Sequence, residues 1–170
     1  VYMFNLKVDK GAIDLNKFYK NKLTINQVMK GLIKFLCIHI KNQINAGADV
    51  VQIFDSWAGL IPIDEIEEYC FNPNRQIVEF CDNYNIPSIC FPKGIKQKFK
   101  EFNNLVKPKG INIDFAIDPQ WAKENLKDVV IQGGLDPNIL LKSEEEIFKG
   151  ATKYIRTFKD IPYVFNLGHG

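Results

Sequence analysis

Two short stretches of this chain join groups that can bind and protonate a ligand to backbone that can approach one closely. In the first, the apolar run Val50, Val51, Ile53 and Phe54 ends abruptly in Asp55-Ser56, as buried parallel strands do when they deliver polar side chains to a catalytic rim. The Ser56 hydroxyl there can hydrogen-bond a substrate carboxylate, or it can cap the turn at the strand exit. The second stretch, Asn166-Leu167-Gly168-His169-Gly170, sets an imidazole between two glycines. Glycine lets the backbone come close to a ligand, and histidine is the side chain best suited to relay a proton near neutral pH. A lone histidine is more often structural, and His39, within an amphipathic helical pattern, takes that default. Gln132-Gly133-Gly134-Leu135-Asp136-Pro137 predicts another tight backbone approach, with Asp136 capping the turn that Pro137 opens. Asp114 and Lys93-Gly94 close two further apolar runs and suit either a substrate rim or salt-bridged structure.

The elements that position these groups are legible as alternation. Strand-length apolar runs at 49–54, 87–91, 111–115, 128–132 and 162–167 are separated mostly by helical signals, which implies βα units and a parallel sheet. Thr24 with Gln27 matches a capping box, followed at helical spacing by Val28, Leu32, Leu36, His39, Gln43 and Ile44 until Gly47. Asp64, Asn72-Pro73 and Asp118-Pro119 predict three more helix starts. Ser143 with Glu146 predicts a helix through Phe158 whose apolar face is Ile147, Tyr154, Ile155 and Phe158. The alternation fits a doubly wound sheet or part of an eightfold barrel. Polar strand ends and the lack of a Gly-x-Gly-x-x-Gly turn favour the barrel. The predicted fold class is thus α/β, a partial (β/α)8 TIM barrel comprising about the last five βα units. It would lack the N-terminal strands and the final helix, and residues 1–170 form one portion with no internal boundary.

Composition narrows the function classes. A net charge of +2, dispersed along the chain, argues against a nucleic-acid partner. Nearly all cations are lysines, Arg75 and Arg156 being the exceptions, so forked recognition of carboxylates is scarce. Cys37, Cys70, Cys81 and Cys90 lie far apart and form no Cys-x-x-Cys pair, and we read them as reduced, packed thiols with no metal site. No apolar run approaches the roughly 18 residues of a membrane helix, and no secretory signal opens the chain. These features predict a cytoplasmic protein without a membrane partner.

Taken in order, these motifs resemble the uroporphyrinogen decarboxylase family. Gln52-Ile53-Phe54-Asp55-Ser56 is similar to the family's Gln-Ile/Leu-Phe-Asp/Glu-Ser, Phe91-Pro92-Lys93-Gly94 to its Phe-x-Lys-Gly, and Gln132 through Pro137 to its Gln-Gly-Asn-Leu-Asp-Pro. Ser143-Glu144-Glu145-Glu146-Ile147 resembles the segment that follows, and Tyr2-Met3 a Tyr-Met pair at an earlier strand end. The resemblance covers nearly the whole chain. Residues 4–10 replace the family's glycine-rich segment, Gly134 its usual Asn, and Phe115 a common Trp.

The resemblance implies removal of CO2 from the four acetate side chains of uroporphyrinogen III to give coproporphyrinogen III, without metal or organic cofactor. It assigns Tyr2 and His169 to catalysis, and Ser56, Phe54, Tyr2 and His169 to binding the tetrapyrrole. It further implies a homodimeric full-length enzyme. The family's pyrrole-binding aspartate and carboxylate-binding arginines have no counterpart in this chain, so the 170-residue piece alone is expected to be inactive. Two alternatives remain at this stage. One is a zinc-dependent methyltransferase of the same superfamily, for which Cys90 falls near a strand end but Ser88 stands where a histidine is needed. The other is a non-catalytic split-gene half-barrel.

Overall fold

The computed structural model describes residues 15–169, so Tyr2 lies outside the described residues. Five parallel strands pair in chain order: β1 (Val51–Asp55), β2 (Ser88–Pro92), β3 (Gly110–Ile113), β4 (Val130–Gly133) and β5 (Tyr163–Val164). Helices α1 (Leu15–Lys20) and α2 (Lys22–Asn45) precede β1. Helices α3 (Asn72–Asn83), α4 (Phe99–Val106), α5 (Pro119–Asn125) and α6 (Glu144–Phe158) provide the crossovers. This is an arc of a (β/α)8 barrel, with each strand paired to its sequence neighbour, as the alternation predicts.

The strand register divides the sheet into two faces. Residues paired in register share a face, and successive residues alternate between faces. Ile53 pairs with Cys90, Cys90 with Ile111, and Ile111 with Ile131, and all four pack against the helices. Phe71, Phe99, Phe102, Val106, Ala122, Tyr154 and Phe158 meet them from the helical layer. The alternate residues Gln52, Phe54, Phe91, Asn112 and Gln132 lie on the concave face. Three of these are amides set singly between apolar neighbours.

Local chemistry explains most helix boundaries. Asp118 Oδ1 accepts the Trp121 N–H at 3.0 Å and Asp136 Oδ1 the Asn138 N–H at 2.9 Å, so both Asp-Pro starts are capped as read. Ser143 and Glu146 form the reciprocal capping box, and the bonds from Ser143 pull the Glu146 carboxyl below its usual range. The separate starts at Asp64 and Pro73 fuse instead. A single π turn (Glu67–Phe71) runs directly into α3, and Asp64 caps nothing there. Pro73 has no N–H for the carbonyl of Tyr69, and the helix widens just before it. The Asn74 side chain takes up the Cys70 carbonyl at 2.8 Å.

Three expectations about helix faces are corrected. Thr24 caps nothing, because α2 already starts at Lys22. The buried stripe of α2 is Ile25, Met29, Ile33, Ile40 and Ile44, which meets Ile77 and Cys81 of α3, Val51 of β1, and Tyr69, while Leu32, Leu36 and His39 face outward. Ile25, Met29 and Ile33, then Ile40 and Ile44, step four apart and compete with the leucine stripe for the same neighbours, and both stripes have helical period. Ile155 of α6 is likewise exposed, leaving Tyr154 and Phe158 as the buried anchors. The expectation that no run approaches membrane length is also corrected: by length and composition α2 is long and apolar enough to cross a membrane, its few lysines leaving the helix apolar.

Candidate functional site

The exits of β1 and β5 converge on one cavity of about 440 Å³ at the C-terminal ends of the strands. It is lined by Gln52, Phe54, Ser56, Phe91, Asn112, Asn166, Leu167 and His169. Parallel strands place their side-chain ends on one rim, which is where barrel enzymes carry their chemistry. Phe54 and Phe91, paired in register, meet edge to face with ring centroids 6.2 Å apart. Phe91 also lies 6.2 Å from the His169 ring, so a continuous aromatic wall leads from the β1 strand to the imidazole. Phe54 is 67% exposed, leaving most of its ring open to a ligand.

Ser56, Phe54 and His169, the three expected site residues within the described region, therefore share one cavity. The sequence reading missed Gln52 and Asn112 as lining residues. Their signal was present: a lone amide within an apolar strand must turn to the non-core face, and Val51-Gln52-Ile53, Ile111-Asn112-Ile113 and Ile131-Gln132-Gly133 repeat that pattern. Asn112 is 3% exposed, and its Nδ2 donates to the Ile113 carbonyl at 3.3 Å. These amides make the concave face polar without charging it.

Other polar strand ends turn away from the cavity. The Asp55 carboxyl faces α3, where it accepts the Asn74 Nδ2–H at 3.3 Å. Burial raises it above the ordinary carboxylate range, and hydrogen bonds from Cys70 and Asn74 offset part of that rise. Cys70 and Cys90 are both buried, and burial pushes their thiols far up, so neither supplies a thiolate. Cys90 lies on the helix-facing side of β2, at 0% exposure and shut off from the cavity, which disfavours the zinc methyltransferase alternative. Among the described residues no cluster of three histidine, cysteine or acidic side chains could hold a metal.

The rim is held by backbone contacts. The Lys93 N–H donates to the Asp55 carbonyl at 3.1 Å, and the Gly59 N–H to the Lys93 carbonyl at 2.9 Å. A Cβ on Gly59 would stand 2.6 Å from the Gly94 carbonyl oxygen, so only glycine allows the β1 and β2 exits to touch. On the far side a Cβ on Gly168 would meet the Phe115 nitrogen at 2.6 Å. Among the described residues Asp114 meets no cation. Its oxygens accept the Gly94 N–H at 2.8 Å and the Ala116 N–H at 3.1 Å. The Gly133-Gly134 pair is as tightly packed as its sequence implies, with the hydroxyls of Tyr163 and Tyr154 donating to its two carbonyls at 2.7 Å each.

Comparison with known proteins agrees with this geometry. The family model described as uroporphyrinogen decarboxylase (URO-D) matches residues 7–170. The uroporphyrinogen decarboxylase of Wolbachia pipientis wMel is 34% identical over 99% of this chain and 50% of its own length. That of Rickettsia felis (strain ATCC VR-1525 / URRWXCal2) is also 34% identical, over 99% of this chain and 50% of its own length. That of Orientia tsutsugamushi (strain Boryong) is 36% identical, over 89% of this chain and 45% of its own. The chain spans about half the length of these curated relatives. With the fold, the rim and these matches in agreement, the chain belongs to the uroporphyrinogen decarboxylase family.

Proposed function

We propose that this chain supplies the C-terminal substrate-site portion of an enzyme that converts uroporphyrinogen III to coproporphyrinogen III, a step of porphyrin and heme biosynthesis. The observation that carries this reading is the convergence of Phe54, Ser56 and His169 on one cavity at the strand ends, within a chain of this family. At each acetate, a proton added to a pyrrole carbon makes the ring an electron sink. The bond from the methylene to the carboxylate breaks, its electron pair moves into the ring, and CO2 departs. Protonation of the exocyclic methylene gives a methyl group, and loss of the proton first added to the ring carbon restores the pyrrole, so each acetate consumes one proton net and releases one CO2.

In this reading His169 relays a proton at the rim. The Ser56 hydroxyl donates to a substrate carboxylate, and the Phe54 and Phe91 rings hold the macrocycle against the wall. Tyr2, outside the described residues, is proposed as a further substrate contact and catalytic group. We read the full-length protein as a cytoplasmic homodimer that acts on a tetrapyrrole and requires neither nucleic acid nor membrane, α2 being a packed surface helix. The 170-residue portion alone is proposed to be inactive.

The test is to isolate the native product from its source cells, measure its intact mass, and assay it with uroporphyrinogen III beside the 170-residue chain. Support is coproporphyrinogen formed by the longer product and lost in Ser56→Ala and His169→Ala. A native product of about 20 kDa that lacks turnover would sink the reading and leave the non-catalytic half-barrel in its place.

A further inference from the structure

Ser56 and His169 come from opposite edges of the sheet, yet they meet at one cavity, so something must fix the two exits against each other. The side chain placed between them is Asp114, at the end of β3, with 4% exposure. On one side its Oδ2 accepts the Gly94 N–H at 2.8 Å. Gly94 in turn abuts Gly59, whose N–H is held by the Lys93 carbonyl at 2.9 Å, while the Lys93 N–H holds the Asp55 carbonyl beside Ser56. On the other side Oδ1 accepts the Ala116 N–H at 3.1 Å and shapes the turn through Phe115. Gly168, directly before His169, packs on that turn. A Cβ there would lie 2.6 Å from the Phe115 nitrogen and 3.1 Å from the Asp114 carbonyl carbon, and the Gly168 N–H donates to the Leu135 carbonyl at 2.6 Å.

We propose that Asp114 is a positioning residue that fixes the Ser56 loop and the His169 segment relative to each other through the Gly94 and Ala116 amides. This rests on the reading of Ser56 and His169 as site residues given above. A carboxylate that accepts two backbone N–H groups is the strong form of such a brace, because the charged acceptor strengthens both bonds. Asparagine at this position retains one acceptor oxygen and turns an amide N–H₂ toward the other donor, so one bond is lost. Alanine loses both.

The test compares the native polypeptide with its Asp114→Asn and Asp114→Ala variants by amide hydrogen exchange and by uroporphyrinogen turnover. Exchange at Gly94 and Ala116 is expected to accelerate about tenfold or more, with Gly59 and Gly168 following, while Ile111 and Ile131 in the strands stay within about threefold. KM is expected to rise about tenfold with a smaller change in kcat, and further in the alanine variant than in the asparagine variant. The proposal is overturned if the strand amides accelerate as much as the rim, which would make Asp114 a general stability residue. It is also overturned if Gly59 and Gly168 do not respond, or if the rim loosens and KM does not. Should Asp114→Ala fail to fold, Asp114→Asn carries the same comparison. Should the parent protein not turn over uroporphyrinogen, the functional reading falls by itself, and the exchange pattern still decides whether Asp114 joins the two segments.

Discussion

The two faces of this sheet are built from the same five strands and serve opposite ends. The convex face is dry. Ile53, Cys90, Ile111, Ile113 and Ile131 meet four phenylalanines and a tyrosine from the helical layer, and almost none of that surface reaches solvent. The concave face carries Gln52, Asn112 and Gln132 beside the exposed ring of Phe54 and the buried ring of Phe91, and it leads to Ser56 and His169. Stability is concentrated on one side and ligand-facing groups on the other. Strand alternation accomplishes this separation, since each residue has only two directions to face. Substitutions on the two faces should therefore fail in different ways.

The largest contrast is between two phenylalanines. Phe102→Ala, in the fully buried helical layer, should cost about 3–5 kcal/mol in a urea titration, because the cavity it leaves cannot collapse. Phe54→Ala should cost less than about 1 kcal/mol, its ring being two-thirds exposed, and should weaken tetrapyrrole binding instead. Equal stability losses would break the division of labour. Next, Gly59→Ala forces a Cβ against the Gly94 backbone and should cost about 1–3 kcal/mol by thermal melting, with local loosening of the Ser56 loop. Tyr163→Phe removes the hydroxyl that donates to the Gly133 carbonyl, and about 1 kcal/mol of stability should go with it by the same measurement.

The smallest effect is a pH dependence. Asp55 has its carboxyl raised by burial above the ordinary value near 3.8, so the folded state holds that proton more tightly than the unfolded chain. Its contribution is fully present below the unfolded value and declines as pH rises through the folded one. A melting profile of Asp55→Asn should lack that component of the slope, and an unchanged profile would show that the site is wetter than the structure implies.

Much of this architecture is written plainly in the chain. Apolar runs of strand length, each ending in polar or small residues, place all five strands to within a few residues, and Asp118, Asp136 and Ser143 announce their caps through side chains that bond locally. Such signals act within four residues of themselves and need no knowledge of the fold. Choices settled by distant neighbours are harder to read. The two apolar stripes of α2 have the same period, and only the positions of α3 and β1 decide that Ile33 and Ile40 go inward while Leu32 and Leu36 do not. Asp114 is similar: its type and position fit a ligand contact, a salt bridge or a brace, and the choice depends on where Gly94 comes to rest twenty residues earlier in the chain. Ser56 and His169 could be read as a pair only through the family resemblance, because no local rule relates residues at opposite sheet edges. Tyr2 lies outside the described residues.

The strand order carries one more consequence. Because β1 through β5 pair strictly in the order in which they occur, each of β2 to β5 can pair with the strand synthesised just before it. A ribosome emits these units one at a time, and no strand in this arc has to wait for a distant, later segment before it can pair. The His169 segment is the last of these pieces to leave the ribosome, so the cavity is assembled only after the five strands that support it have been made.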